Sequence, residues 1–152
     1  MRGALQTGYS KVGYAIYLSN GPILDDGSQE SDKAGQLIYS NFSDNNANKA
    51  IGGRFSWFPL TNSSLELGVS GQYANNIGTA HTKYDGVHSS IYAGDLNYYN
   101  YFSAGLLRVS AQYTTIQVSN AVYENSLEEI LTGLPMEYTF DNTSTFYFGL
   151  IS

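Results

Sequence analysis

Apolar and polar side chains alternate along most of the chain, and this period-two pattern constrains the fold more than any other feature. In the run at residues 65–73, for example, Leu65, Leu67 and Val69 alternate with Glu66 and Ser70. Successive side chains of a β-strand point to opposite faces of a sheet, so the alternation predicts strands. Similar runs occupy residues 1–9, 12–19, 51–58, 92–102, 107–114 and 138–151. The sequence therefore predicts one all-β domain of about seven strands over residues 1–152.

The segments between these runs fall into two length classes, which alternate along the chain. The tight turns are expected at residues 9–11, 60–64 and 102–104. The long polar loops, which carry most of the acidic residues, are expected at residues 21–49, 74–89 and 119–137. An antiparallel up-and-down meander with short turns at one end and long loops at the other is typical of a bacterial outer-membrane protein. We therefore expect a transmembrane β-barrel or a part of one.

Charged residues make up only 13% of the chain, about half the share in an ordinary soluble domain. Five charged residues of the predicted strands occupy the alternate positions that the aliphatic residues do not, so they belong to the opposite face. They are Arg2, Arg54, Glu66, Asp95 and Arg108. Arginine on a lipid-facing position costs about 2–4 kcal/mol near the bilayer midplane, so this segregation indicates a water-filled lumen on the charged side. We interpret these five residues as pore-lining. Arg54 and Glu66 flank the same hairpin, and a cross-strand ion pair with a purely structural effect is the alternative.

Large aromatic residues stand beside the predicted tight turns, where a soluble hairpin would face water. They are Tyr9 at the first turn, Trp57 and Phe58 at the second, and Tyr101 and Phe102 at the third. Aromatic residues are enriched at the depth of lipid headgroups, and transmembrane barrels carry girdles of them at both interfaces. We interpret these five residues as membrane-interface aromatics.

Three stretches of the chain resemble consecutive hairpins of bacterial outer-membrane porins. They read RGALQTGYSKVGYAIYLSNGP, AIGGRFSWFPLTNSSLELGVSGQY and DLNYYNYFSAGLLRVSAQYT. They are most similar to porin-like proteins of the Bacteroidetes type, loosely of the phosphate-selective porin class. The resemblance implies a diffusion pore, monomeric or homo-oligomeric, in the cell outer membrane. A complete barrel of that kind has about sixteen strands, so we expect this chain to be a fragment.

The N-terminal stretch MRGALQTGY has no apolar signal segment. We therefore expect either a protein that stays inside the cell or a chain that is mature, truncated or partial. Only three basic residues lie on the predicted strands, and a phosphate-selective site would need several to converge. Phosphate selectivity is therefore not expected.

The same alternation also fits a soluble all-β module that binds carbohydrate or acts as an adhesin. In that fold the apolar parity would pack against a second apolar layer. A net charge of −6 argues against nucleic acid as a partner, and the absence of cysteine excludes disulfides and thiolate metal sites. No catalytic motif stands out, so we predict no enzyme activity, no cofactor and no metal. The expected partners are the lipid bilayer and small polar solutes or ions.

Three features of the long loops allow both a functional and a structural interpretation. His81, Asp85 and His88 carry metal-binding groups, but their spacing matches no standard site, so we expect no metal there. Residues 25–32, DDGSQESD, lack the EF-hand pattern and indicate a solvated loop tip. Residues 123–134 predict a short helix, which either folds into the pore as a constriction or, as we prefer, caps the rim.

Overall fold

The computed structural model describes residues 1–28, 30–39, 49–78, 82–140 and 142–152. Within these residues the long strands form one seven-stranded antiparallel sheet, so the predicted all-β class is confirmed. Two small two-stranded sheets and one short helix complete the fold.

Strands dominate the order of elements along the chain. The elements are β1 (Arg2–Thr7), β2 (Ser10–Asn20), β3 (Ile23–Leu24), a 3-10 turn (Ser31–Lys33), β4 (Leu37–Ile38), β5 (Lys49–Phe58), β6 (Leu65–Ala74), β7 (Ser89–Phe102), β8 (Gly105–Val118), β9 (Tyr123–Glu124), α1 (Leu127–Leu131), β10 (Glu137–Tyr138) and β11 (Asn142–Ile151).

The main sheet is a meander in which each long strand pairs with the next long strand along the chain. Its order is β1-β2-β5-β6-β7-β8-β11. Tight turns join β1 to β2, β5 to β6 and β7 to β8, and the long connections all lie at the opposite end of the sheet. This segregation of loop lengths agrees with the sequence pattern. Among the described residues, β1 and β11 are the two sheet edges, and each pairs with a single neighbour.

The two faces of the main sheet differ sharply in chemistry. Residues that are partners across a strand pair share a face, so the strand register assigns each side chain to one of the two faces. One face, which we call the charged face, carries six charged side chains: Arg2, Lys11, Arg54, Glu66, Asp95 and Arg108. The opposite face, which we call the apolar face, is built of alternate residues such as Ile16, Phe55 and Val69. Lys49 is the one charged residue of the main sheet on the apolar face, at the first position of β5.

No helix within the described part of the chain is long and apolar enough to cross a membrane. The single α-helix of these residues, α1, is five residues long.

The last alternating run departs from the sequence prediction at its beginning. Strand β11 begins at Asn142, so Phe140 lies outside the sheet. Alternation along this run predicts that Phe146, Phe148 and Leu150 share a face. They do so, and their partners on β8 place them on the charged face. The edge strand therefore carries large apolar residues on a face that is otherwise polar.

Candidate functional site

The centre of the charged face holds an ion cluster around Arg54. Its guanidinium donates two parallel hydrogen bonds to Asp95, from Nη1 to Oδ1 at 2.5 Å and from Nη2 to Oδ2 at 2.8 Å. The Nη2 atom also donates to Oε1 of Glu66 at 3.0 Å, and Ser56 Oγ donates to the same oxygen at 2.9 Å. One guanidinium between two carboxylates leaves the cluster with a net charge of −1. The cluster ties together three neighbouring strands, β5, β6 and β7.

Strand register explains how these side chains meet. Gly68 on β6 lies directly between Ser56 on β5 and Asp95 on β7. A methyl group at Gly68 would collide with the guanidinium of Arg54 and the carboxylate of Asp95. The missing side chain therefore opens the space through which the two charged groups reach each other. A lone glycine inside a strand pattern often marks such a close approach, and this signal was present in the sequence.

The other two arginines of the predicted pore-lining set stand apart from this cluster. The structure brings Arg54, Glu66 and Asp95 together, whereas Arg108 lies on β8 opposite Tyr99 and Arg2 lies on the edge strand β1. Neither of these guanidinium groups makes a hydrogen bond or an ion pair with another described residue. They are the free cationic groups among the five predicted residues.

A polar hollow of about 430 Å³ lies over strands β7, β8 and β11, and its lining also includes Arg54 of β5 and Ser70 of β6. Its walls include Asp95 and Asn97 from β7 and Arg108 and Ser110 from β8. A second and more apolar hollow of about 710 Å³ lies near the β1 edge and includes Arg2 and Phe58. All five predicted pore-lining residues are thus on one face, and all of them except Glu66 line one or both of these hollows.

The predicted interface aromatics divide between the two faces. Trp57 and Phe102 project from the apolar face, whereas Phe58 and Tyr101 project from the charged face. Neighbouring residues of a strand point in opposite directions, so each pair of consecutive aromatics is divided between the two faces. Tyr9 lies in the tight turn between β1 and β2 and is 84% exposed.

The long loops fold together at one end of the sheet and form the main buried cluster, which we call the loop cap. Its members are Leu24, Ala50, Ala74, Ile77, Tyr84, Val87, Val118, Ala121 and Tyr123. Three of them, Ala50, Ala74 and Val118, are strand-end residues of the charged face. The loop cap therefore packs onto the charged face and covers its long-loop end.

Tyr123 is the centre of the loop cap and is 1% exposed. Its ring stacks on Phe140 with 5.0 Å between centroids and lies 5.7 Å from the ring of Tyr84. Burial raises the pKa of Tyr123 to about 12. Burial likewise raises the pKa of Tyr84. Nearby, Lys83 Nζ contacts Glu124 Oε1 at 2.6 Å and links two of the loops.

Part of the first long loop, residues 34–37, lies against the charged face and reaches the far edge strand. Asn142 of β11 donates its side-chain amide to the carbonyl of Gly35, 107 residues earlier in the chain. Residues of this loop and the charged-face residues Ile116, Ser144 and Phe146 line a narrow hollow of about 240 Å³. The sequence pattern indicated a solvated tip at residues 25–32, and the inward packing of residues 34–37 was not predicted.

The helix predicted at residues 123–134 is shorter than expected, because Tyr123 and Glu124 form strand β9 instead. Helix α1 begins with a capping box between Ser126 and Glu129 and buries none of its residues. No residue of α1 belongs to the buried cluster of the loop cap.

The loop residues that carry metal-binding groups show no ligand geometry within the described part of the chain. His81 lies outside those residues, and His88 packs against Tyr73 with 5.7 Å between ring centroids. No group of three or more His, Asp or Glu within the described part of the chain is arranged to hold a metal ion. In the acidic loop, Asp25 and Asp26 accept hydrogen bonds from backbone N–H groups two residues further on, which is a turn-forming role.

No protein-family model matches the chain, and comparison with the curated proteins and with the solved structures found no match.

Proposed function

We propose that this chain forms part of the wall of an outer-membrane β-barrel and that its charged face lines a passage for small polar solutes or ions. The apolar face would contact the hydrocarbon of the membrane. The short turns and the long loops would then lie in the two aqueous compartments, as in bacterial barrels.

The observation that carries this proposal is the bare apolar face of the sheet. Val69 in a central strand is 59% exposed and Ile16 is 51% exposed. No described residue forms a second layer over this face, and the buried cluster lies on the opposite side. A soluble sandwich or adhesin-like module would bury Leu67 and Val69 in its core. Exposed apolar patches of this extent mark a surface that meets another apolar medium.

The polar chemistry of the charged face supports a hydrated passage. The carboxylates and guanidinium groups on this face are only partly buried, with side-chain exposures of 37% for Arg54 and 27% for Glu66. Charged side chains of this kind need water or a partner. The loop cap covers one end of this face, so solutes would have to pass beside it.

The open sheet edges place one requirement on the proposal. Unpaired strand edges are unfavourable in hydrocarbon, so β1 and β11 must pair with further strands in the membrane. Because the seven strands alternate in direction, β1 and β11 run the same way. Closure of an all-antiparallel barrel therefore needs an odd number of additional strands.

The test is reconstitution of the protein into planar lipid bilayers after purification from membranes in detergent. The proposal expects stepwise, ohmic conductance, and it expects Arg108→Gln to move the reversal potential toward cation selectivity. The neutral control is Gln117→Ser on the apolar face of β8, which should leave the reversal potential unchanged. Recovery of a soluble, monomeric protein with a sharp cooperative melt in the absence of detergent would contradict the proposal.

A further inference from the structure

The polar hollow over β7, β8 and β11 is lined by an arginine side chain that forms no ion pair with a described residue. Arg54 is held by two carboxylates, whereas the guanidinium of Arg108 has no partner among the described residues. Arg108 lines the hollow from the strand next to the ion cluster. A free guanidinium presents several N–H donors in a planar fork that matches a carboxylate.

Neutral polar groups line the hollow together with this guanidinium. Asn97 and Ser110 are direct cross-strand partners, and they form the next pair on the same face after Tyr99 and Arg108. Ser110 Oγ is the one buried side-chain polar atom of the described residues that lacks a hydrogen-bond partner. Buried polar atoms are normally satisfied, so the floor of the hollow has unused hydrogen-bonding capacity.

One wall of the hollow is apolar. Phe148 and Leu150 of β11 lie on the charged face, directly opposite Gln112 and Ser110. Large apolar side chains on a hydrated face have little reason to be there unless they contact an apolar group. The hollow thus combines a cation, neutral hydrogen-bonding groups and an aromatic and aliphatic wall.

The charge around the hollow selects the class of anion. The Arg54 cluster carries a net charge of −1, and both Arg54 and Asp95 line the hollow. Together with Arg108 the local charge sums to zero. A monoanion gains from Arg108 with little repulsion, whereas a dianion such as phosphate meets additional repulsion from the carboxylates.

We propose that this hollow is a binding site for small organic monocarboxylates, whose carboxylate pairs with Arg108 and whose apolar body packs on Phe148 and Leu150. This inference rests on the proposed function, because it names the solute class of the passage. The volume of about 430 Å³ accommodates a solute of roughly the size of a substituted aromatic acid.

The experiment titrates the purified full chain with benzoate and follows binding by calorimetry and ligand-observed NMR. Benzamide is the uncharged probe of the same shape, acetate lacks the apolar body, and inorganic phosphate is the dianion. The proposal expects benzoate to bind about tenfold or more tightly than each of the other three. Equal affinity for benzoate and benzamide, or tighter binding of phosphate, would overturn it.

Two variants localise the site. Arg108→Gln should weaken benzoate binding about tenfold or more, down to the affinity of benzamide, with an unchanged circular dichroism spectrum. Lys11→Gln removes a cation from the same face outside the hollow and should leave benzoate affinity unchanged. Equal losses of benzoate affinity in both variants would show a general electrostatic effect of the charged face and would contradict a specific site at Arg108. Benzoate binding without bilayer conductance would refute the pore alone, whereas conductance without benzoate binding would refute the site alone.

Discussion

The guanidinium of Arg54 and the carboxylate of Asp95 form a two-point ion pair across the intervening strand, over the backbone of Gly68. The pair joins β5 to β7 without a contact from any side chain at position 68. Glu66 adds a second carboxylate to the same guanidinium. The interaction therefore acts as a cross-brace on the charged face, and Arg54 contributes less free positive charge than its presence in the sequence indicates.

Removal of both partners of this brace should destabilise the sheet by less than the sum of the two single removals. Arg54→Gln leaves two carboxylates close together, and Asp95→Asn leaves the guanidinium with Glu66 alone. We expect each single variant to lose about 1–3 kcal/mol of unfolding free energy, and the double variant to lose less than their sum. Denaturant unfolding in one detergent measures the unfolding free energies of the unchanged protein, the two single variants and the double variant. Strict additivity of the two losses would show that the pair is not coupled.

Gly68 gives a second test of the same geometry. Gly68→Ala places a methyl group against both charged side chains, so we expect a loss of about 1–3 kcal/mol. Gly94→Ala on the adjacent strand β7 is the matched control, because a methyl group there meets only ordinary contacts at 3.9 Å. The control should be neutral or slightly stabilising, since alanine restricts the unfolded chain. Similar losses in both variants would mean that the brace does not need the space at position 68.

The two faces of the sheet could be predicted from the sequence because side-chain alternation depends only on the strand itself. The contact of Arg54 with Glu66 was also within reach, since a short turn fixes the register of β5 and β6. Asp95 follows a long loop, so its register against β6 could not be derived from spacing.

The loop cap could not be predicted for a related reason. Tyr123 and Leu24 come from different loops, and no periodic pattern marks either of them as buried. Their burial depends on how irregular segments pack against one another, and local sequence patterns carry no information about that packing. The face of Phe148 is a similar case. Alternation groups this residue with Phe146 and Leu150, but only its register with Gln112 shows that the group lies on the charged face.

The apolar face provides a test of the membrane orientation with adjacent residues. Val69→Arg puts a guanidinium on the bare apolar face, and Ser70→Arg puts the same group on the charged face one residue away. If the apolar face meets hydrocarbon, Val69→Arg should lose about 2–4 kcal/mol and fail to assemble in membranes, whereas Ser70→Arg should assemble. Heat-modifiable mobility in gels and membrane fractionation measure assembly. Normal assembly of Val69→Arg together with failure of Ser70→Arg would reverse the assignment of the two faces.

The loop cap should loosen in alkali because its central tyrosine resists ionisation. The pKa of Tyr123 rises from 10.0 to about 12 on burial. Below pH 10 the residue is neutral in both folded and unfolded loops, so its burial carries no ionisation penalty. Between about pH 10 and pH 12 the unfolded form ionises first, and the stability of the cap should fall by on the order of 2 kcal/mol. Hydrogen exchange of the loop amides, followed against pH, measures this loss.

Tyr123→Phe keeps the ring and removes the ionisable group, so its cap should keep most of its protection up to about pH 12, with a residual loss from Tyr84. An undiminished loss of protection in Tyr123→Phe would assign the alkaline transition to another group.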